Sequence, residues 1–224
     1  MKLISILGDS ICTFEGYNAK GYYVYYDKTV QSENGINSVD QTWWHKVIGF
    51  LGGQLCVNNS CAGSTVTGAD FPSASCEARI NDLGDPSHDP DTILIAMGFN
   101  DYAFGMDVSG ADDLSSFDHA YEYMLDKISF RYPDAELVCC TIVTGFIRDN
   151  SHRLFPMDSV KHDISEYNEV IRDLCRRKNI RLADIASPGT HFETLDGVHP
   201  TAAGHETIAQ MWIHSLRTDK KCIS

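Results

Sequence analysis

The chain has 224 residues, 43% of them hydrophobic and 22% charged, with a formal net charge of −13. That length buries a sizeable core without staples, and residues 1–224 read as a single domain. The acidic balance repels nucleic acid and anionic lipid, so neither a nucleic acid nor a membrane is expected as a partner.

A short apolar run predicts a buried strand over residues 2–7. It is too short for the core of a signal peptide and has no cleavage pattern. No stretch is long enough to span a bilayer, so a cytoplasmic location is the default expectation. A long connection, 11–41, follows and is crowded with Tyr17, Tyr22, Tyr23, Tyr25 and Tyr26. A helix is predicted over 42–51, with Thr42 as its cap and Gly52-Gly53 as its stop. A short strand over 54–58 and a modest helix over 73–83 come next. The clearest strand is 92–97, where Ile93, Leu94, Ile95 and Ala96 form the continuous apolar run of a sheet covered on both faces. After a connection over 99–113, a long helix over 114–132 is closed by Pro133. A strand over 136–143, a connection over 144–157 and a helix over 158–178 follow. In that helix Ile164, Tyr167, Val170, Ile171 and Leu174 recur at helical spacing. A short strand over 180–185 leads to a closing helix over 201–216, with Pro200 at its entry. The alternation predicts an α/β fold: three layers, α/β/α, around a five-stranded parallel sheet. Long connections leave the strand ends after Ser10 and Gly98, the edge where open sheets bind ligands.

The eight cysteines are Cys12, Cys56, Cys61, Cys76, Cys139, Cys140, Cys175 and Cys222. Most lie in apolar segments and read as reduced, buried thiols. Cys139 and Cys140 are adjacent in a strand, so their side chains should point to opposite faces. No C-x-x-C or H-E-x-x-H spacing suggests a metal, and no phosphate-binding glycine loop is present. No cofactor is expected.

Three segments supply chemistry. Gly8-Asp9-Ser10 offers a hydroxyl just past the first strand, although Ser10 alone also reads as a turn or cap residue. Gly98-Phe99-Asn100-Asp101 offers an amide donor, which alone also reads as a turn at a strand end. In Asp196-Gly197-Val198-His199-Pro200 the carboxylate can curl back to Nδ1 of the imidazole and leave Nε2 to face a nucleophile. Gly63, in Asn59-Ser60-Cys61-Ala62-Gly63-Ser64-Thr65, offers a backbone N–H, and alone it reads as a loop glycine.

Taken in order, these four segments resemble the blocks of the SGNH family of GDSL-type esterases and acyl hydrolases, from Ser10 to His199. The Gly63 segment is the loosest match. The resemblance implies a flavodoxin-like sheet in the order 2-1-3-4-5. It implies Ser10 as nucleophile, His199 as base and Asp196 as the group orienting that base. The N–H groups of Ser10 and Gly63 and the Asn100 amide would form the oxyanion hole. The implied reaction is ester hydrolysis through an acyl-enzyme, without metal or cofactor.

The tyrosine-rich connection is aromatic and polar rather than greasy, which favours a short acyl group, acetyl first, carried on a carbohydrate. The expected partner is thus a small-molecule or oligosaccharide ester. Tyr17, Tyr22, Trp43 and Trp44 are candidate substrate-binding residues, although a core-packing helix explains the tryptophans better. The tyrosine loop could equally pack on the body or on a second copy of the chain in a homo-oligomer. His205 and His214 are expected to be solvated or at the core edge. Three other readings are weighed. They are a lipid acyl hydrolase or thioesterase, a sugar-binding module without activity, and an Asp9-based phosphoryl-transfer protein. The second would require loss of Ser10 or His199, and the third leaves Asp196 and His199 unexplained.

Overall fold

A computed structural model describes residues 1–155, 160–187 and 189–218. Five parallel strands form its main sheet: β1 (Lys2–Gly8), β2 (Gly53–Ser60), β3 (Thr92–Ala96), β4 (Glu136–Cys140) and β7 (Arg181–Ala183). Their order is β2-β1-β3-β4-β7, which is 2-1-3-4-5 when only the strands of this sheet are counted. Side chains alternate between two apolar layers. Ile93, Ile95, Leu137 and Cys139 face α5 (Phe117–Arg131) and α6 (Ile164–Lys178). Ile4, Ile6, Leu94, Val138 and Cys140 face α2 (Trp43–Phe50) and α7 (Ala202–Thr218). Cys139 and Cys140 thus lie on opposite faces, as period-2 geometry demands. Each fully buried aliphatic side chain contributes about 1.5–3 kcal/mol, so both layers drive folding. The seven cysteines among the described residues are free thiols. Cys222 lies outside them.

Several boundaries differ from the sequence expectation. The helix expected over 73–83 is only α3 (Glu77–Asn81). The hydroxyls of Ser73 and Ser75 bond instead to the carbonyls of Val66, Gly68 and Ala120, in competition with a helical start. α5 begins at Phe117 because Asp113 ties back the N–H of Ser115 in a local turn. α6 begins at Ile164, where Asp163 and Glu166 form a capping box. The predicted start of that helix, and the end of the connection over 144–157, fall on residues 156–159, outside the described residues. The connection over 11–41 holds a short helix, α1 (Lys28–Asn34), capped by Asp27. Residues 99–103, expected as loop, form α4 (Phe99–Ala103).

A second, three-stranded sheet in the order β6-β5-β8 was not anticipated. β5 (Gly145–Ile147) pairs antiparallel with β6 (Asn150–Leu154) and parallel with β8 (Phe192–Thr194). This sheet delivers the chain to the Asp196–Pro200 segment. Pro200 is not the first residue of α7 but makes a bridge to Thr194, and Thr201 caps the helix by accepting the N–H of Gly204 at 3.2 Å.

Candidate active site

Ser10 opens a single 3₁₀ turn, Ser10–Cys12, at the C-terminal end of β1. Asp9 caps that turn by accepting the N–H of Ile11 at 2.9 Å. Gly8 is required by crowding: a Cβ there would lie 2.5 Å from Cys12 Sγ and 2.8 Å from Ser60 Oγ. The Gly8 carbonyl accepts both the N–H of Cys61 at 3.1 Å and Nη2 of Arg79 at 2.8 Å. The first strand is therefore tied to the segment carrying Gly63 immediately before Ser10.

The Asp196–Pro200 loop reaches over this turn. His199 Nε2 lies 2.9 Å from Ser10 Oγ, and His199 Nδ1 lies 2.6 Å from Asp196 Oδ2. Asp196 Oδ1 accepts the N–H groups of Val198 and His199 at 2.9 and 2.8 Å, so the carboxylate closes its own turn. Gly197 sits at φ 90°, a conformation that favours glycine, and donates its N–H to Thr194 Oγ1 at 2.8 Å. Burial opposes ionisation of Asp196. The hydrogen bond and charge of His199 outweigh it and hold the carboxyl well below the usual carboxylate range. A carboxylate, an imidazole and a hydroxyl thus stand in one hydrogen-bonded line, which can pass a proton from the hydroxyl to the imidazole.

Asn100 lies in the first turn of α4, whose cap Gly98 has φ 115°. Its Nδ2 donates to the Ser64 carbonyl at 2.8 Å, one residue beyond Gly63. Asp101 is fully buried and accepts the N–H groups of Val66 and Thr67 at 2.8 and 2.9 Å. Together they brace the Gly63 loop against α4. Gly63 is exposed at φ 76°, and a Cβ placed there would meet nothing within 4 Å. Among the described residues, nothing accepts the backbone N–H of Ser10 or of Gly63. Burial pushes both Asp9 and Asp101 up to about 6, against their backbone donors.

A profile of the family described as GDSL-like Lipase/Acylhydrolase matches residues 2–216. The chain belongs to the GDSL-like lipase/acylhydrolase family. A Bacteroides ovatus protein described as a GDSL-like lipase is 30% identical, with 97% of this chain and 98% of that chain covered and a TM-score of 0.72. A multidomain esterase of Ruminococcus flavefaciens is 25% identical over 206 residues. That match covers 89% of this chain but spans only 22% of the esterase. A family two carbohydrate esterase of Clostridium thermocellum, 20% identical, matches 97% of this chain and 64% of its own with a TM-score of 0.58, a likeness of fold.

In this GDSL-like acylhydrolase the other candidate residues stand elsewhere. Trp43 and Trp44 are buried at 1% and 0% exposure. Trp43 stacks on Trp212 at 5.0 Å and borders a small apolar cavity of about 60 Å³ shared with Asp9, Cys12 and Cys140. Both tryptophans are core residues because helix α2 turns its apolar stripe to the sheet. Tyr17 packs on Phe14 and Trp44 with ring centroids 5.8 and 6.1 Å apart, which anchors the loop to the body. Tyr22 lies against Phe71, and its hydroxyl donates to Asp82 at 3.3 Å. Burial pushes that phenol up to about 12. His205 is fully buried rather than solvated, with Nδ1 accepting the backbone N–H of Trp43 at 3.3 Å, and burial pushes it down to about 3. His214 is exposed.

Three contributors escaped the sequence reading. Arg79 is fully buried, and besides Gly8 it donates to the carbonyls of Asn59 and Pro72 and to Asn59 Oδ1. Its surroundings in sequence gave no sign that a charge would be interior. Thr13 Oγ1 donates to the Ser10 carbonyl at 2.9 Å and accepts the N–H of Tyr25 at 3.0 Å. Tyr25 stacks on His199 with centroids 3.4 Å apart at 11°. Only its membership of a tyrosine cluster hinted at the site.

Proposed function

We propose that this acylhydrolase is a serine-dependent carboxyl-ester hydrolase that removes a short acyl group, acetyl first, from a carbohydrate through an acyl-enzyme. The observation carrying this reading is the continuous line Asp196–His199–Ser10, at 2.6 and 2.9 Å. Ser10 Oγ attacks the ester carbonyl while His199 Nε2 takes its proton. The developing oxyanion accepts from the N–H groups of Ser10 and Gly63 and from the Asn100 amide. Collapse of the tetrahedral adduct breaks the bond to the alcohol, which leaves with the proton held by His199. A water then attacks the acyl-enzyme by the same route, releasing the acid and restoring Ser10.

Exposed aromatic rings support a sugar as the alcohol half. Tyr23 is 66% exposed, and its carbonyl accepts the N–H of Ala62, next to Gly63. Phe104 is 62% exposed, and its N–H bonds the Asn100 carbonyl. Tyr23 is thus tied to the segment bearing Gly63 and Phe104 closes the helix bearing Asn100, and flat apolar faces suit pyranose rings.

Two measurements test the reading. Ser10→Ala should abolish turnover of an aryl acetate, and a fluorophosphonate should add once to the wild type, at Ser10. Turnover retained by the alanine variant would refute the serine mechanism. In a series of aryl esters, kcat/KM should be greatest at acetyl, with acetate released from acetylated oligosaccharides. A maximum at an eight-carbon or longer acyl group would replace the carbohydrate reading with a lipid one.

A further inference from the structure

The dyad of His199 and Asp196 is partly open to solvent. The Asp196 side chain is 43% exposed and that of His199 16%. Solvent at the carboxylate screens part of the attraction that orients the imidazole, so a contact that restricts the ring adds to it. Tyr25 lies parallel to His199, 3.4 Å between centroids and 11° between planes. Its hydroxyl donates to Asp196 Oδ2 at 3.2 Å, the same oxygen that meets His199 Nδ1. Burial, and then the charge of Asp196, push the phenol upward, so it stays a donor.

Tyr25 is itself fixed relative to the nucleophile. Thr13 Oγ1 joins its N–H to the Ser10 carbonyl. The neighbouring Tyr26 is fully buried, stands edge-on to Tyr25 at 5.0 Å and donates its hydroxyl to the Pro200 carbonyl at 2.7 Å. The two tyrosines therefore grip the loop bearing Asp196 and His199 from one side, while their own strand of chain is pinned to the turn bearing Ser10. We propose that Tyr25 is a positioning residue: its ring clamps one face of the His199 imidazole and its hydroxyl shares Asp196, which together aim Nε2 at Ser10. This proposal rests on the assignment of Ser10, His199 and Asp196 as the reacting set.

Two variants separate the ring from the hydroxyl, assayed with 4-nitrophenyl acetate on the full chain. Tyr25→Leu removes both and should lower kcat by about 10- to 100-fold with KM changed less than about twofold, the cost of a slightly misaimed base. Labelling of Ser10 by a small fluorophosphonate should slow by a similar factor. Tyr25→Phe keeps the ring and should restore kcat to within about fivefold of wild type. That residual loss should shrink toward nothing in an Asp196→Ala background, because the hydroxyl acts only through Asp196. Wild-type kcat in Tyr25→Leu would overturn the proposal, and so would a change confined to KM, which would make Tyr25 a wall of the substrate pocket. Should the leucine variant not fold, a Tyr25→Phe loss of unchanged size in the Asp196→Ala background would overturn it equally. Turnover by Ser10→Ala would instead strike the underlying mechanism, whatever the tyrosine variants do.

Discussion

Asn100 has two amide hydrogens, and the structure uses one of them on the Ser64 carbonyl at 2.8 Å. That bond fixes the amide plane and leaves the second hydrogen without a partner among the described residues, where it can meet a developing oxyanion. A donor fixed in this way needs no reorganisation when charge appears, so its contribution falls on the transition state rather than on substrate binding. Asn100→Ala should therefore lower kcat by about 10²–10³, with KM nearly unchanged. Steady-state kinetics on an aryl acetate decides this, and a change in KM alone would move Asn100 to a substrate-binding role. The neighbouring Asp101 has a different task. It is wholly interior and holds the N–H groups of Val66 and Thr67, so it shapes the loop that presents Gly63. The segment after Gly98 thus carries a candidate oxyanion donor, Asn100, next to Asp101, and both tie to the loop bearing Gly63.

At the scale of elements, the main sheet was legible because its information is local. Ile93–Ala96 is a continuous apolar run, β1 is apolar but for Lys2 and Ser5, and each leads into a glycine, Gly8 or Gly98. The order of the strands came from the family resemblance, and the sheet adopts it. The small sheet was not legible. β5 and β8 have three residues each, too few to show an alternation, and they exist because each supplies the other's hydrogen bonds. Yet β8 positions the dyad: Thr194 Oγ1 donates to the Phe146 carbonyl and accepts the N–H of Gly197. Helix α4 was missed for a similar reason, since five residues are below the length at which a helix is stable by itself. It persists because Gly98 turns sharply into it and Asn100 and Asp101 tie its first turn to the Gly63 loop. The candidate reacting residues could be read because each lies in one short segment whose residues resemble a block of the family. Arg79 and Tyr25 could not: Asn59 and Gly8 lie 20 and 71 residues from Arg79 and Asp196 lies 171 from Tyr25, across loops whose path no local pattern encodes.

Across the whole molecule, two sets of carboxylates have opposite effects on pH stability. Surface acids paired with bases, such as Asp107 with Lys161 and Glu122 with Arg177, are held below their ordinary range, so their stabilisation is lost as pH falls through the folded value. Asp9 and Asp101 are the other kind. Both are buried, and burial raises each from 3.8 to about 6. The folded state then holds more protons than the unfolded state between these values. Stability contributed by the protonated form is present below about pH 4 and is lost as pH rises through about 6. The gap corresponds to roughly 3 kcal/mol per group at neutral pH. Asp9 borders the apolar cavity behind Ser10, so the fold tolerates an unfavourable charge next to the candidate nucleophile. Asp9→Asn keeps an oxygen for the Ile11 N–H and removes the charge. Chemical denaturation of wild type and variant from pH 4 to 8 should show their difference moving in favour of the variant by up to about 3 kcal/mol, with the whole change falling between pH 4 and 7. An unpaired amide hydrogen in the variant would add a constant offset, which leaves the slope untouched. A difference independent of pH would mean that Asp9 ionises as an ordinary carboxylate, and that the site carries no stored charge behind Ser10.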